Sequence, residues 1–143
     1  MSMINISGDF NVSPQISAED VPALKAAGVT LVICNRPDAE VPASHQADAI
    51  RDAVTAEGMR FVYLPIVPQG VTMDTVDEMG KLIEATDGPV LAYCRSGTRS
   101  TTAWALSQAG RIDTADILRQ AGDAGYQLDG LRPSLDAVAM QRR

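Results

Sequence analysis

Two short runs, Thr30-Leu-Val-Ile-Cys34 and Val90-Leu-Ala-Tyr93, carry no charge and no polar–apolar alternation. A strand with that pattern must be covered on both faces, as the inner strands of a parallel sheet are. Around these runs lie segments with helical punctuation. Ser17 is placed to cap a helix over residues 18–27, with Asp20 three residues on and Gly28 as the stop. Further helices are predicted over residues 44–57, ended by Gly58, and from a Thr72 cap to Ala85. Residues 60–67 read as a strand closed by Pro65 and Pro68, and residues 5–10 as a first strand or edge ribbon. The chain ends with predicted helices over residues 99–109, after Asp113, and over residues 131–140. Strands separated by helices of about ten or more residues imply parallel pairing with right-handed crossovers. The expected class is α/β: one domain over residues 1–143, its mainly parallel sheet of four to five strands flanked by helices.

In such sheets ligands bind beyond the carboxyl ends of the strands. The loops after Cys34, Val67 and Tyr93 should therefore open on one side. The last of them is Cys94-Arg95-Ser96-Gly97-Thr98-Arg99-Ser100-Thr101, a small glycine-containing turn that leads from a strand straight into a helix. Backbone N–H groups of residues 95–99 can curl into a nest, and the helix N-terminus adds partial positive charge. These surroundings suit a tetrahedral oxyanion and favour a thiolate at Cys94. Arg99 can offer its planar fork to two anion oxygens. Ser100 and Thr101 can donate to the sulfur. Cys94 and Arg99 are the candidate catalytic pair, with Arg95, Ser96, Gly97, Thr98 and Ser100 as anion-binding residues.

Composition narrows the partners. A net charge of −6 argues against nucleic acid, whose phosphates need a basic face. No run approaches membrane-span length, and residues 1–9 lack the features of a signal peptide, so a cytoplasmic location is expected. The single histidine, His45, and the scattered acids give no metal-ligand spacing, and no cofactor is called for. With two cysteines, Cys34 and Cys94, both at the ends of apolar runs, a disulfide framework is not expected. Cys34 reads as a buried strand residue, with a resolving thiol as the alternative.

Gly8 onward, Asn35-Arg36-Pro37-Asp38 and Leu91-Ala-Tyr-Cys94-Arg-Ser-Gly-Thr-Arg99-Ser100 resemble the beta-lactamase hydrolase-like, phosphatase-like domain family, over residues 6–109. The resemblance implies the fold of dual-specificity protein tyrosine phosphatases. Family members stand alone or are fused to enzymes of sulfide metabolism, such as persulfide dioxygenases, and both phosphatase and sulfurtransferase roles are attached to them. A sulfide-oxidation enzyme is therefore an implied partner. The second motif adds Arg36 and Asp38 to the anion site: Arg36 as a lining group, Asp38 to orient Arg36 or Arg99. An Asx-type turn after the strand is the alternative for Asp38.

Two departures from the tyrosine phosphatase pattern bear on the reaction. Four residues separate Cys94 from Arg99, one fewer than in the phosphatase loop, so Ser100 stands where the phosphatase arginine would. That spacing resembles the loop of single-domain rhodaneses. Phosphatases of this fold also place an aspartate after the preceding strand, where it protonates the leaving alkoxide and contributes roughly two to four orders of magnitude. Here Pro68-Gln69-Gly70-Val71 follows the strand, which leaves Asp74, at the next helix start, and Asp38, on the loop after Cys34, as the candidate acids. Sulfur transfer from thiosulfate needs no acid, because sulfite leaves readily. The residues therefore lean towards a rhodanese-type sulfurtransferase with a Cys94 persulfide. Phosphatase chemistry through a cysteinyl-phosphate is the alternative, and a non-catalytic anion-binding regulatory module the third. The substrate is a small anion: thiosulfate, a persulfide or a phosphate ester.

Overall fold

The computed structural model describes residues 3–142. A five-stranded sheet runs in the order β1-β2-β5-β3-β4, formed by Ile4–Ser7, Phe10–Ser13, Leu31–Cys34, Arg60–Tyr63 and Val90–Tyr93 in chain order. The pairs β2–β5, β5–β3 and β3–β4 are parallel, and only the β1–β2 hairpin is antiparallel. The predicted single ribbon over residues 5–10 is thus two strands, turned at Gly8 with a left-handed φ of 54°. The second escapes a hydropathy reading because Asn11 and Ser13 are buried within it. Asn11 compensates its burial by donating from Nδ2 to the carbonyls of Val90, at 3.1 Å, and Asp9, at 3.0 Å.

The helices are α1 (Val21–Ala26), α2 (Ala47–Ala56), α3 (Met73–Ala85), α4 (Thr98–Gln108), α5 (Thr114–Asp123) and α6 (Arg132–Gln141). Two of the predicted starts carry capping hydrogen bonds, whereas Asp113 precedes α5 without a side-chain cap and α2 begins at Ala47 rather than Ser44. Thr72 Oγ1 accepts from Thr75 N–H at 3.3 Å ahead of α3. The Asp20 carboxylate accepts from the Ser17 N–H at 2.9 Å, closing a 3₁₀ turn that leads into α1. The strand predicted over residues 60–67 ends its regular ladder at Tyr63, since Pro65 has no N–H to donate. Leu64 and Ile66 still donate to the carbonyls of Cys34 and Asn35, each at 2.8 Å.

Both faces of the sheet are covered, as its uncharged inner strands require. Leu31, Ile33, Val90 and Ala92 pack with Val76, Met79, Trp104, Ile117 and Leu135 from α3 to α6. The alternate residues Val32, Cys34, Leu91 and Tyr93 pack with Val21, Leu24, Ile50 and Val54 from α1 and α2. Helix α4 lies deepest. Seven of its eleven residues are buried, and Trp104 stacks on Phe10 with ring centroids 6.1 Å apart. Its C-terminal end meets a cation: Arg142 Nη1 donates to the carbonyls of Ser107, at 2.9 Å, and Ala109, at 2.8 Å. Among the described residues, no helix is long and apolar enough to cross a membrane.

Candidate active site

The loop after β5 is built by one glycine. Gly97 has φ 95° and serves as the N-cap of α4, so the chain leaves the strand, doubles back and enters the helix within a few residues. This conformation aims the Gly97 N–H at Cys94 Sγ, 3.1 Å away. Cys94 is buried beneath its own loop, at the head of the most buried helix. A sulfur so placed faces an N–H donor and a helix N-terminus at once, both of which favour an anion.

The other loop residues do varied work. Ser96 Oγ pairs with Thr98 Oγ1 at 3.0 Å, and both residues are exposed at the rim, as is Arg95. Ser100 and Thr101, expected to donate to the sulfur, are engaged elsewhere. Ser100 Oγ donates to Asn35 Oδ1 at 2.8 Å, tying α4 to the loop after β3, and Thr101 Oγ1 donates back to the Gly97 carbonyl at 2.7 Å. Both therefore brace the loop rather than the thiolate.

Arg99 is largely enclosed, with 17% of its side chain exposed. Nη1 donates to Glu40 Oε2 at 2.8 Å and to the Ile66 carbonyl at 2.7 Å, while Nη2 donates to Glu40 Oε1 at 2.7 Å. Arg36 Nε reaches the same Oε1 at 3.3 Å, and Arg36 Nη1 reaches Gln15 Oε1, also at 3.3 Å. The hydrogen bond from Arg99, with Arg36 behind it, holds the Glu40 carboxyl below the usual carboxylate range. Glu40 reciprocally raises the guanidinium of Arg99. By sign, a depressed carboxyl contributes stability above its ordinary value near about 4.3 and loses it only as pH falls through the depressed one.

Asp38 does not orient either arginine. Its Oδ1 accepts from the Ala47 N–H at 2.7 Å, at the start of α2, and its own N–H donates to the Tyr63 hydroxyl at 2.9 Å. The carboxylate is a helix-end partner, and Glu40, two residues on, takes the role expected of it. Asp38→Ala should cost about 1 kcal/mol, a fall of roughly 3 °C in Tm by thermal unfolding. An unchanged Tm would show that this contact contributes nothing.

Tyr126 is a further residue the sequence did not single out. Its hydroxyl donates to the Ser96 carbonyl at 2.9 Å, closing the loop from the side of α5. Burial pushes its phenol up, and a charge on Cys94 adds to the effect. On the opposite face, Cys34 packs beside Tyr93, and burial raises its thiol. Its Sγ donates to the Arg36 carbonyl at 3.4 Å, which is the buried, structural reading of that cysteine.

Beside Arg99 a groove of about 210 Å³ runs along the loop after β4, lined by Ile66, Val67, Pro68, Gly70, Val71, Thr98 and Thr102. No carboxylate lines it among the described residues, and Asp74 is exposed in the first turn of α3. The groove can hold the body of a substrate, but it offers no proton to a departing group.

The mainly parallel sheet, with a strand–Cys–loop–helix turn at the carboxyl end of β5, is the architecture of a phosphatase-like domain. Comparison with known proteins fixes the family. Residues 3–111 match the family model described as the phosphatase-like domain of beta-lactamase hydrolase-like protein, and the chain belongs to that family. The beta-lactamase hydrolase-like protein of Agrobacterium fabrum is 30% identical over 130 residues, covering 90% of this chain and 30% of that protein. The chain thus spans about a third of the length of the curated relatives it matches. Among solved structures, a Neisseria meningitidis protein assigned as a phosphatase superposes with a TM-score of 0.84 at 29% identity, covering 96% of this chain and 99% of that one. Tk-PTP in its active form superposes with a TM-score of 0.78 at 18% identity, covering 99% of this chain and 98% of that one. The fold is that of the protein tyrosine and dual-specificity phosphatases.

Proposed function

We propose that the chain is a phosphatase-type hydrolase in which Cys94 is the nucleophile. The observation that carries this reading is the Cys94 sulfur facing the Gly97 N–H at the head of α4, with Arg99 on the first turn, inside a phosphatase fold. The thiolate attacks phosphorus, the P–O bond to the organic group breaks, and a cysteinyl-phosphate forms. Loop N–H groups and Arg99 stabilise the equatorial oxygens as their charge is redistributed. Water then attacks the intermediate, releasing inorganic phosphate and regenerating the thiolate. With no carboxylate in the adjoining groove, the substrates that suit this site are those whose leaving group departs as a stable anion, such as an aryl phosphate.

The missing carboxylate also favours a second reading, rhodanese-type sulfur transfer, which the short Cys–Arg spacing first suggested. The thiolate would take the outer sulfur of thiosulfate as its S–S bond breaks, releasing sulfite and leaving a Cys94 persulfide. An acceptor such as cyanide would then remove that sulfur and restore the thiolate. Family and fold support the phosphatase reading; the acid-free groove is what supports sulfur transfer.

A paired assay separates them. One arm supplies an aryl phosphate and measures phosphate release, and the other supplies thiosulfate with cyanide and measures thiocyanate. Phosphate release with negligible thiocyanate is the expected result. Thiocyanate without phosphate release would overturn the phosphatase reading and establish the second.

A further inference from the structure

A guanidinium carries five N–H donors in a fixed plane. Among the described residues, three of those on Arg99 are engaged: both on Nη1, with Glu40 Oε2 and the Ile66 carbonyl, and one on Nη2, with Glu40 Oε1. The Glu40 carboxylate therefore fills the end fork of the plane. What remains is the side edge, where the Nε–H and the outer Nη2–H run parallel. That edge is itself a two-pronged fork, suited to two oxygens of one phosphate, sulfonate or carboxylate.

Glu40 is in turn fixed by its surroundings. Arg36 Nε donates to Oε1 and Arg36 Nη2 donates to the Glu40 carbonyl at 3.4 Å, while Asp38 pins the start of the same turn to α2. Arg99 is thus gripped at one end by groups from the loops after β3 and β4, both of which open at the mouth of the Cys94 loop. Such a grip selects one orientation for a long side chain that otherwise loses rotamer freedom on binding an anion.

We propose that Glu40 is a positioning residue: it occupies the Nη1–Nη2 fork of Arg99 and so presents the Nε–Nη2 edge to the oxyanion bound over Cys94. The inference rests on reading Cys94 and Arg99 as an anion site, whichever group is transferred there. It predicts an effect opposite in sign to that of simple charge. A carboxylate beside an anion site repels the anion, so neutralising Glu40 should help binding if Coulomb repulsion were its only action. Under the positioning role, neutralising it harms.

The test uses two alkylating agents on Cys94, the anion iodoacetate and neutral iodoacetamide, with the adduct on the Cys94 peptide quantified by mass spectrometry. The ratio of their rates reports how well the site guides an anion to the sulfur, and it requires no turnover. Glu40→Gln is expected to lower the iodoacetate-to-iodoacetamide ratio by about fivefold and the kcat of the preferred assay by about tenfold, with a smaller change in KM. In an Arg99→Ala background the same substitution should change the ratio by less than about twofold, because the residue acts through Arg99. Glu40→Asp keeps the charge, but its stem is one methylene too short for the carboxylate to reach both Nη atoms. It should shift the ratio in the same direction, and it carries the test if Glu40→Gln does not fold. A ratio that is unchanged or raised in Glu40→Gln, or one that falls equally without Arg99, overturns the proposal. A fall in the ratio for an enzyme inactive on both donors would support Glu40 as the positioning group while removing the proposed reaction.

Discussion

Cys94→Ser is expected to lower kcat/KM by about four orders of magnitude or more on whichever donor the enzyme uses. A serine hydroxyl in the same place stays protonated near neutral pH, and among the described residues no neighbouring base is placed to take its proton. Ser100 and Thr101 donate to Asn35 and Gly97, and the Glu40 carboxylate is committed to Arg99 and Arg36. The loop activates an anion with a donor, the Gly97 N–H at 3.1 Å, and that arrangement is useful only to a group that ionises by itself. The fold should survive, since the exchange is nearly isosteric and the buried hydroxyl inherits the same N–H. Anion binding measured with inorganic phosphate should therefore persist while turnover disappears. Intact-protein mass spectrometry on the wild type then names the reaction: a trapped adduct of about 80 Da marks a phosphoryl group, and one of about 32 Da a sulfur atom. Residual activity above about one per cent in Cys94→Ser would exclude nucleophilic catalysis by this residue.

What could be read in the chain beforehand divides along a physical line. The strands over Leu31–Cys34 and Val90–Tyr93, and the cradle between Cys94 and Arg99, are encoded locally: uninterrupted apolar residues, then a small loop, then a helix start. Periodicity and turn chemistry reach such features because cause and effect lie within a few residues. The hairpin strand Phe10–Ser13 is different. Its polar positions Asn11 and Ser13 are buried, and Asn11 is satisfied across the sheet by the Val90 carbonyl, far along the chain, so local hydropathy understates the strand. Glu40 and Tyr126 are hidden for the same reason. Glu40 meets Arg99 across 59 residues of sequence, and Tyr126 meets Ser96 across 30. One signal for Glu40 was present, since Arg36 and Glu40 stand four apart and do form an ion pair. Asp38 is the acid that the recognisable motif marks, yet its carboxylate caps a helix that begins nine residues later.

Gly97→Ala is the second change from which a large effect is expected, and it acts through the backbone rather than through chemistry. A φ of 95° is open to glycine but strained for any residue with a Cβ, at a cost of about 1 to 2 kcal/mol. The added carbon would also fall well inside contact distance of the Tyr126 hydroxyl, 3.0 Å from its Cζ and 3.4 Å from Val12 Cγ2. Overpacking of that kind adds about 1 to 3 kcal/mol. The loop can relieve both only by moving Gly97, and its N–H is the one that meets Cys94 Sγ. Stability should therefore fall by about 2 to 4 kcal/mol and turnover by about a hundredfold or more, measured by denaturant unfolding and steady-state kinetics. The two losses can be parted. Adding Tyr126→Phe removes the hydroxyl that the new methyl meets, but it leaves the backbone strain in place. The double variant should regain part of the stability and little of the activity, because the N–H remains displaced from the sulfur. Full recovery of turnover in the double variant would instead mean that crowding by Tyr126, and not the left-handed turn at Gly97, governs the geometry of the cradle.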